Sequence, residues 1–245
     1  MKCYILAGGK GTRLESINKK RLPKPLIKIA GKPILEWQIR QLRKHDIRDI
    51  SIISGYKGEL IERYFKDGKK WGVNIEHHIE DKPLGTAGYL HKIKNELPEY
   101  FLLIYGDSIF CFNIKQYISY LNYSYFNMNG LILTHRSSHP EDSSCLDLNR
   151  SIILKWYEKG ERFSSAYNNV QSATGIRILH KSLFEQQFEN EEIDLDKDIL
   201  KPLINKDQHH RIYSCHSSDF IMDVGTPERH FQAGHFIKRN KKHFK

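Results

Sequence analysis

Over its first 110 residues the chain alternates short apolar runs with amphipathic stretches, and this alternation restricts its fold more than any other feature. Cys3 to Leu6 is apolar throughout. Pro33 to His45 (PILEWQIRQLRKH) sets Ile34, Leu35, Ile39 and Leu42 on one helical stripe. Asp49 to Ser54 (DISIIS) has the continuous apolar character of a buried strand, and Gly58 to Phe65 (GELIERYF) is again amphipathic. Val73 to Ile79 (VNIEHHI) alternates apolar and polar residues, as an edge strand does. Ala87 to Asn95 reads as a short helix, and Tyr100 to Tyr105 (YFLLIY) as a buried strand ending at Gly106-Asp107. Strands alternating with helices imply right-handed βαβ units. The expected class is α/β, a Rossmann-like, mostly parallel sheet flanked by helices. Such sheets bind ligands beyond the carboxyl ends of their strands, where Leu6 and Asp107 both fall.

Beyond residue 110 the pattern is mixed. Leu131 to His135, Ser151 to Tyr157, Gly175 to Leu179 and Arg211 to Cys215 read as strands, and Asp196 to Ile204 as a helix. No glycine- or serine-rich linker and no internal repeat divides the chain, so one domain is expected over residues 1–235. Residues 236–245 form a basic tail holding Lys238, Arg239, Lys241, Lys242 and Lys245, read as solvated.

Composition narrows the partners. No apolar run reaches the ~20 residues of a membrane span, and no secretory leader pattern opens the chain. The four cysteines (Cys3, Cys111, Cys145, Cys215) are scattered without metal-ligand spacing, as reduced thiols of a cytoplasmic protein would be. The formal charge of +10 attracts polyanions, but aromatics are not interleaved with the basic residues as in RNA-binding motifs. Neither nucleic acid nor a membrane is an expected partner. The histidine pairs 77–78 and 209–210 lack the i, i+4 spacing of a helical metal site and read as surface residues.

The stretch LAGGKGTRL (Leu6 to Leu14) places three glycines and two cations at the tip of the first strand. A plain turn needs fewer glycines, since each costs backbone entropy. The loop is not a Walker A motif, because Gly11 is followed by Thr12-Arg13 rather than Lys-Ser/Thr. Nor is it a dinucleotide fingerprint, because Leu14 occupies the third glycine position.

With Pro23-Lys24-Pro25-Leu26 following Gly8-Gly9-Lys10-Gly11-Thr12-Arg13-Leu14, the chain resembles the sugar-1-phosphate nucleotidyltransferases. Four further segments resemble that family's motifs in the correct order: Glu80 to Gly88 (EDKPLGTAG), Tyr105-Gly106-Asp107, Glu158-Lys159, and Met222 to Pro227 (MDVGTP). Within the family, His139 to Ser143 and Gly225 to Arg229 are most like guanylyltransferases acting on D-glycero-D-manno-heptose 1-phosphate. Some of those continue into a phosphatase domain, so residues 236–245 could be a linker to a domain this sequence does not contain.

The resemblance implies a magnesium-dependent reaction of a nucleoside triphosphate, GTP favoured, with a sugar 1-phosphate, for surface polysaccharide. It assigns Arg13, Lys24, Asp107 and Asp223 to catalysis, the last two as metal ligands. It assigns Leu6, Gly8, Gly9, Gly11, Thr12, Pro83, Gly85 and Thr86 to the nucleotide, and Glu158, Lys159 and Gly175 to the sugar phosphate. A homo-oligomer is compatible with it. Alternatives are a mannose-1-phosphate guanylyltransferase, a cytidylyl- or uridylyltransferase, or a catalytically silent regulatory homologue. Two departures stand out: Gly160 replaces the proline after the Glu-Lys pair, and Ala173 to Arg177 (ATGIR) lacks the family's asparagine and tyrosine.

Overall fold

The run Cys3–Leu6 becomes β1 because it is apolar on both faces, and a strand inside a parallel sheet is covered on both. The computed structural model describes residues 1–123, 128–136, 140–161, 169–206 and 211–244. His139 of the 139–143 segment, the pair 209–210 and Lys245 lie outside these residues.

In chain order β1 is followed by β2 (Lys28–Ile29), β3 (Lys32–Pro33), α1 (Ile34–Lys44), β4 (Asp49–Ser54), α2 (Gly58–Phe65), β5 (Asn74–Ile79), α3 (Gly88–Lys92), β6 (Tyr100–Tyr105) and β7 (Ser108–Cys111). Then come α4 (Ile114–Tyr123), β8 (Gly130–His135), β9 (Cys145–Asn149), β10 (Ile152–Tyr157), β11 (Val170–His180), α5 (Lys201–Lys206), β12 (Ile212–His216), β13 (Phe220–Asp223) and α6 (Pro227–Arg239). The sequence, read as one domain to residue 235, folds as two compact units. The first comprises Met1–Pro83, Leu102–Lys115 and Asp219–Lys245; the second comprises Leu84–Phe101 and Gln116–Ser218.

The first unit carries the parallel ladder β5-β4-β1-β6. Leu6 pairs with Ile53 on one side and Tyr105 on the other, and Ser54 with Ile79. The strands therefore end level, and the residues just past them, Gly8, Gly55, Glu80 and Asp107, emerge at one edge. α1 buries the expected stripe, with Ile34, Leu35, Ile39 and Leu42 wholly inaccessible. Of these, Ile34 joins Leu14, Ile29, Trp37, Ile109, Val224, Ala233 and Ile237 in one core cluster. The antiparallel pair β7/β13 sets Asp223 opposite Ser108.

The second unit is mostly antiparallel, in the order β11-β8-β12-β10-β9, with β12 and β8 parallel. Its core includes Trp156, Ile176, Ile178, Phe184 and Leu195. The helix expected over Asp196 to Ile204 is split into a wide π-type turn over Leu195–Leu200 and then α5. Pro202 explains the break, since it has no N–H to continue the ladder. α3 is shorter than the nine residues read from sequence, spanning five.

Two further expectations are corrected. The C-terminal stretch is not a solvated tail: α6 runs to Arg239, and Phe244 is buried against Trp37, ring centroids 5.6 Å apart. Lys238, Arg239, Lys241 and Lys242 remain exposed while the backbone is held, for the His243 carbonyl accepts from Gln41 Nε2 at 2.7 Å. His78 is not a surface residue: its side chain is 15% exposed and reaches the Ser51 hydroxyl. α4 and α6 are helices that the sequence reading did not assign. Among the described residues no helix is long and apolar enough to cross a membrane.

Candidate active site

The glycine loop leaves β1 with the Ala7 amide donating to the Ile53 carbonyl and closes on a short turn, Thr12–Leu14, whose Leu14 is anchored in the core. Gly11 is fixed by two demands. Its φ is +73°, and a Cβ there would lie 3.1 Å from Lys24 Cβ. Glycine lets the Pro-Lys-Pro segment fold back against the loop, where the Lys24 amide donates to the Gly9 carbonyl at 3.2 Å. Gly8, Gly9, Thr12 and Arg13 stay exposed, free to meet a ligand from solution. Beside the loop opens a cavity of about 490 Å³ whose lining includes Lys10, Gly11, Thr12, Lys19 and Arg21. Three cations and a glycine-rich backbone suit a polyphosphate.

Lys24 is 8% exposed, and its ammonium lies 2.6 Å from Asp107 Oδ2. A lysine this buried needs a charged partner, and Asp107 supplies it from the far end of β6. Asp107 in turn is tied to β13, because the Val224 amide donates to its carbonyl at 2.7 Å.

The Asp-Val-Gly-Thr-Pro motif is legible atom by atom. Asp223 ends β13, with both carboxylate oxygens accepting from Arg229, at 2.9 and 2.8 Å. Val224 is wholly buried. Gly225 gives clearance: a Cβ would meet Asp223 Oδ2 at 2.9 Å and Arg13 Nη2 at 3.1 Å. That single glycine thus brings Arg13 alongside Asp223. Thr226 caps α6 through the Arg229 amide, and Pro227 opens the helix.

Four predicted residues, Arg13, Lys24, Asp107 and Asp223, therefore share the carboxyl edge of the first unit. Among the described residues no group of three His, Cys, Asp or Glu could hold a metal. Asp107, on the turn just ahead of β7, and Asp223, at the end of the neighbouring β13, are nonetheless an all-oxygen donor pair. They fit magnesium, which takes one or two carboxylates and completes its shell with phosphate oxygens and water.

Glu80 was part of a recognised motif but not of the assigned site. It follows β5, its amide donating to the Ser54 carbonyl at 2.7 Å. Its Oε2 faces the loop, since a Cβ on Gly8 or Gly55 would lie 3.6 or 3.5 Å away. Its Oε1 is buried without a hydrogen-bond partner among the described residues. Burial pushes this carboxyl up to about 7.

In the second unit the assigned residues have structural partners. Thr86 Oγ1 accepts from the Leu195 amide at 2.7 Å, and the Ile193 amide donates to Leu84 at 3.0 Å. Leu84 to Ala87 is thereby stapled to residues 193–195, with Gly85 exposed; in the first unit, Pro83 is exposed just ahead of it. Glu158 pairs with Lys201 at 2.8 Å, which holds its carboxyl below the usual range, and Lys159 lies 3.6 Å from Asp142. Gly175 sits where β11 shifts register against β8, between Ala173 and Arg177. Arg177 is a buried strut: its side chain is 2% exposed, bonded through both terminal nitrogens to Asp196 and lying over the Trp156 ring. No single sequence position announced that pairing.

Comparison with known proteins bears on the family and the fold. The model of one family, described as nucleotidyl transferase, matches residues 2–240. The chain is 28% identical over 236 residues to the D-glycero-alpha-D-manno-heptose 1-phosphate guanylyltransferase of Aneurinibacillus thermoaerophilus, covering 95% of this chain and 96% of that protein. It is 34% identical over 248 residues to the bifunctional protein GlmU of Methanococcus maripaludis, covering 98% of this chain but 55% of that longer protein. A putative glucose-1-phosphate thymidylyltransferase from Bacillus anthracis shares the fold, with a TM-score of 0.83 at 23% identity, covering 96% of this chain and 94% of that one.

Proposed function

The chain belongs to the nucleotidyl transferase family, and from that premise we propose that it joins GTP and D-glycero-D-manno-heptose 1-phosphate to give the GDP-sugar and pyrophosphate. The observation that carries the transfer chemistry is the Lys24–Asp107 pair beside the glycine loop, with Asp223 opposite the neighbouring Ser108. The near full-length likeness to the Aneurinibacillus enzyme supports the choice of acceptor. Glu80 supports guanine: a carboxylate accepts the two parallel N–H donors of the guanine Watson–Crick edge, a pair no pyrimidine offers.

In this reading an oxygen of the acceptor's phosphate attacks the α-phosphorus. The new P–O bond forms as the bond to the β-phosphate breaks, and pyrophosphate carries away the electron pair. No proton need move, because the attacking phosphate is already ionised. The residues act by position and charge. Loop amides, Lys10 and Arg13 take the charge growing on the leaving pyrophosphate, and Lys24 faces the α-phosphate. Magnesium held by Asp107 and Asp223 would neutralise phosphate charge and orient the attacked phosphate. In the second unit, Glu158 and Lys159 are the proposed contacts for a sugar hydroxyl and the acceptor phosphate.

The test is a pyrophosphate-release screen of four nucleoside triphosphates against a panel of sugar 1-phosphates. Turnover is expected with GTP and a manno-configured heptose or hexose 1-phosphate. Preference for UTP or CTP would overturn the guanine assignment, and no release with any pair would leave a nucleotide-sugar-binding protein without turnover.

A further inference from the structure

We propose that Gln38, a buried residue of α1 outside every motif, is a positioning residue that fixes the Asp107 carboxylate. This rests on the reading of Asp107 given above. Gln38 is 1% exposed. Its Nε2 donates to the Tyr105 carbonyl at 2.9 Å and to the Ser108 carbonyl at 2.8 Å. Those two residues bracket Gly106-Asp107, so one amide staples the two sides of the turn that carries the carboxylate. Both partners are pure acceptors, which settles the amide's orientation.

Two observations separate this from ordinary core packing. Gln38 occupies an α1 position between Leu35, Ile39 and Leu42, where an apolar side chain would bury at less cost. Its Oε1 is buried with no hydrogen-bond partner among the described residues, so the amide is present for its donors alone. The rest of the turn shows what those donors complete. The Gly106 amide donates to the Leu6 carbonyl at 2.8 Å, and a Cβ on Gly106 would come within 2.9 Å of that oxygen. The Val224 amide holds the Asp107 carbonyl. Turns at strand ends are ordinarily mobile; this one is gripped from β1, from β13 and, through Gln38, from α1. A carboxylate held in this way faces its ligand without reorganising during the reaction.

α1 supplies its own control. Gln41 is 2% exposed, and its Nε2 donates to the His243 carbonyl. Gln38→Met and Gln41→Met each replace a buried amide with an apolar chain of similar length. The first should lower kcat by about 10- to 30-fold with KM for the triphosphate within about twofold, and the second should leave both within about twofold. Two readouts do not depend on turnover. Gln38→Met should speed hydrogen exchange at 105–108 and weaken Mn²⁺ binding, read by electron paramagnetic resonance, by about fivefold or more. Gln41→Met should do neither. Equal kinetic losses in the two variants, or a rise in KM in place of a fall in kcat, would overturn the proposal. If Gln38→Met does not fold, Gln38→Asn keeps the amide but cannot span both carbonyls, and should show the same pattern at smaller size. Asp107→Asn, measured alongside, separates the two ideas. If it retains full kcat, the reading of Asp107 fails; if it loses kcat while Gln38→Met does not, only the role of Gln38 fails.

Discussion

The two units place their charged residues by different means. In the first, a parallel ladder ends level, so residues far apart in sequence emerge at one edge, and Lys24 meets Asp107 at 2.6 Å. The site there is fixed by backbone: strand ends, a loop packed by Gly11, a capped helix. In the second unit the sheet is mostly antiparallel, and Glu158-Lys159 lies on the turn after β10, with Lys201 and Asp142 as side-chain partners. Turn residues held by exposed ion pairs move cheaply, because such pairs contribute little. The lesson is a division of labour. On the proposed function, transfer chemistry would fall to the rigid edge and choice of acceptor to the turn residues of the second unit.

The largest expected effects test the rigid edge. Asp107→Asn or Asp223→Asn should each lower kcat by about 10²–10³, as removal of a preorganised electrostatic contact does. If both serve one cation, the double variant should be little worse than the worse single one, so multiplicative losses in steady-state kinetics would break the idea of a shared site.

Next, Arg177→Leu should cost about 3 kcal/mol of stability by urea denaturation, because it leaves Asp196 without its buried partner. Its kcat at low temperature should stay within an order of magnitude. A kinetic collapse in a stable variant would move Arg177 from strut to substrate contact, and would sharpen the account of acceptor choice.

Phe244→Ala should destabilise by about 2 kcal/mol, the transfer free energy of a buried aromatic, with kcat unchanged below the melting transition. A loss of kcat without a loss of Tm would give the C-terminal segment a part in catalysis.

Glu80 offers a pH test. Its folded carboxyl titrates near 7, so protonation on acidification through that range removes the acceptor proposed for guanine. kcat/KM for GTP should therefore fall by up to about tenfold per pH unit below 7, and Glu80→Gln should flatten that limb at a low value. The sign for stability is opposite. A carboxyl raised by burial favours the folded state most below its unfolded pKa, and that advantage is lost as pH rises through 7. An unchanged acidic limb in Glu80→Gln would detach the residue from the base.

The smallest effect belongs to the exposed charges of the C-terminal stretch. Replacing Lys238, Lys241 and Lys242 by Gln should change stability by less than about 0.5 kcal/mol and KM for GTP by less than twofold. A tenfold rise in KM would place those cations on the triphosphate.

Much of this molecule was legible in its sequence. Hydrophobic periodicity identified β1, α1, β4, α2 and β6, because a strand covered on both faces and an amphipathic helix have distinct repeats. The glycine loop stood out because three glycines at a strand tip exceed what a plain turn needs, and Asp107 by its place at a strand end, whereas Lys24 and the Asp-Val-Gly-Thr-Pro segment were legible only through the family resemblance. α6 did not stand out, since its buried stripe is only Ala233 and Ile237 and its large apolar Phe231 lies off that stripe, 73% exposed. Nor did the burial of Phe244, which depends on Trp37 from the other end of the chain. What only the tertiary structure decided are the pairings across sequence: Lys24 with Asp107, Arg177 with Asp196, Gln38 astride the Asp107 turn, and Glu80 beside Gly8 and Gly55 with its Oε1 unpartnered among the described residues. Local residue preferences fix where strands and helices form. Which buried polar atom meets which partner is set by strand register and helix packing, and these arise only when distant segments close on one core.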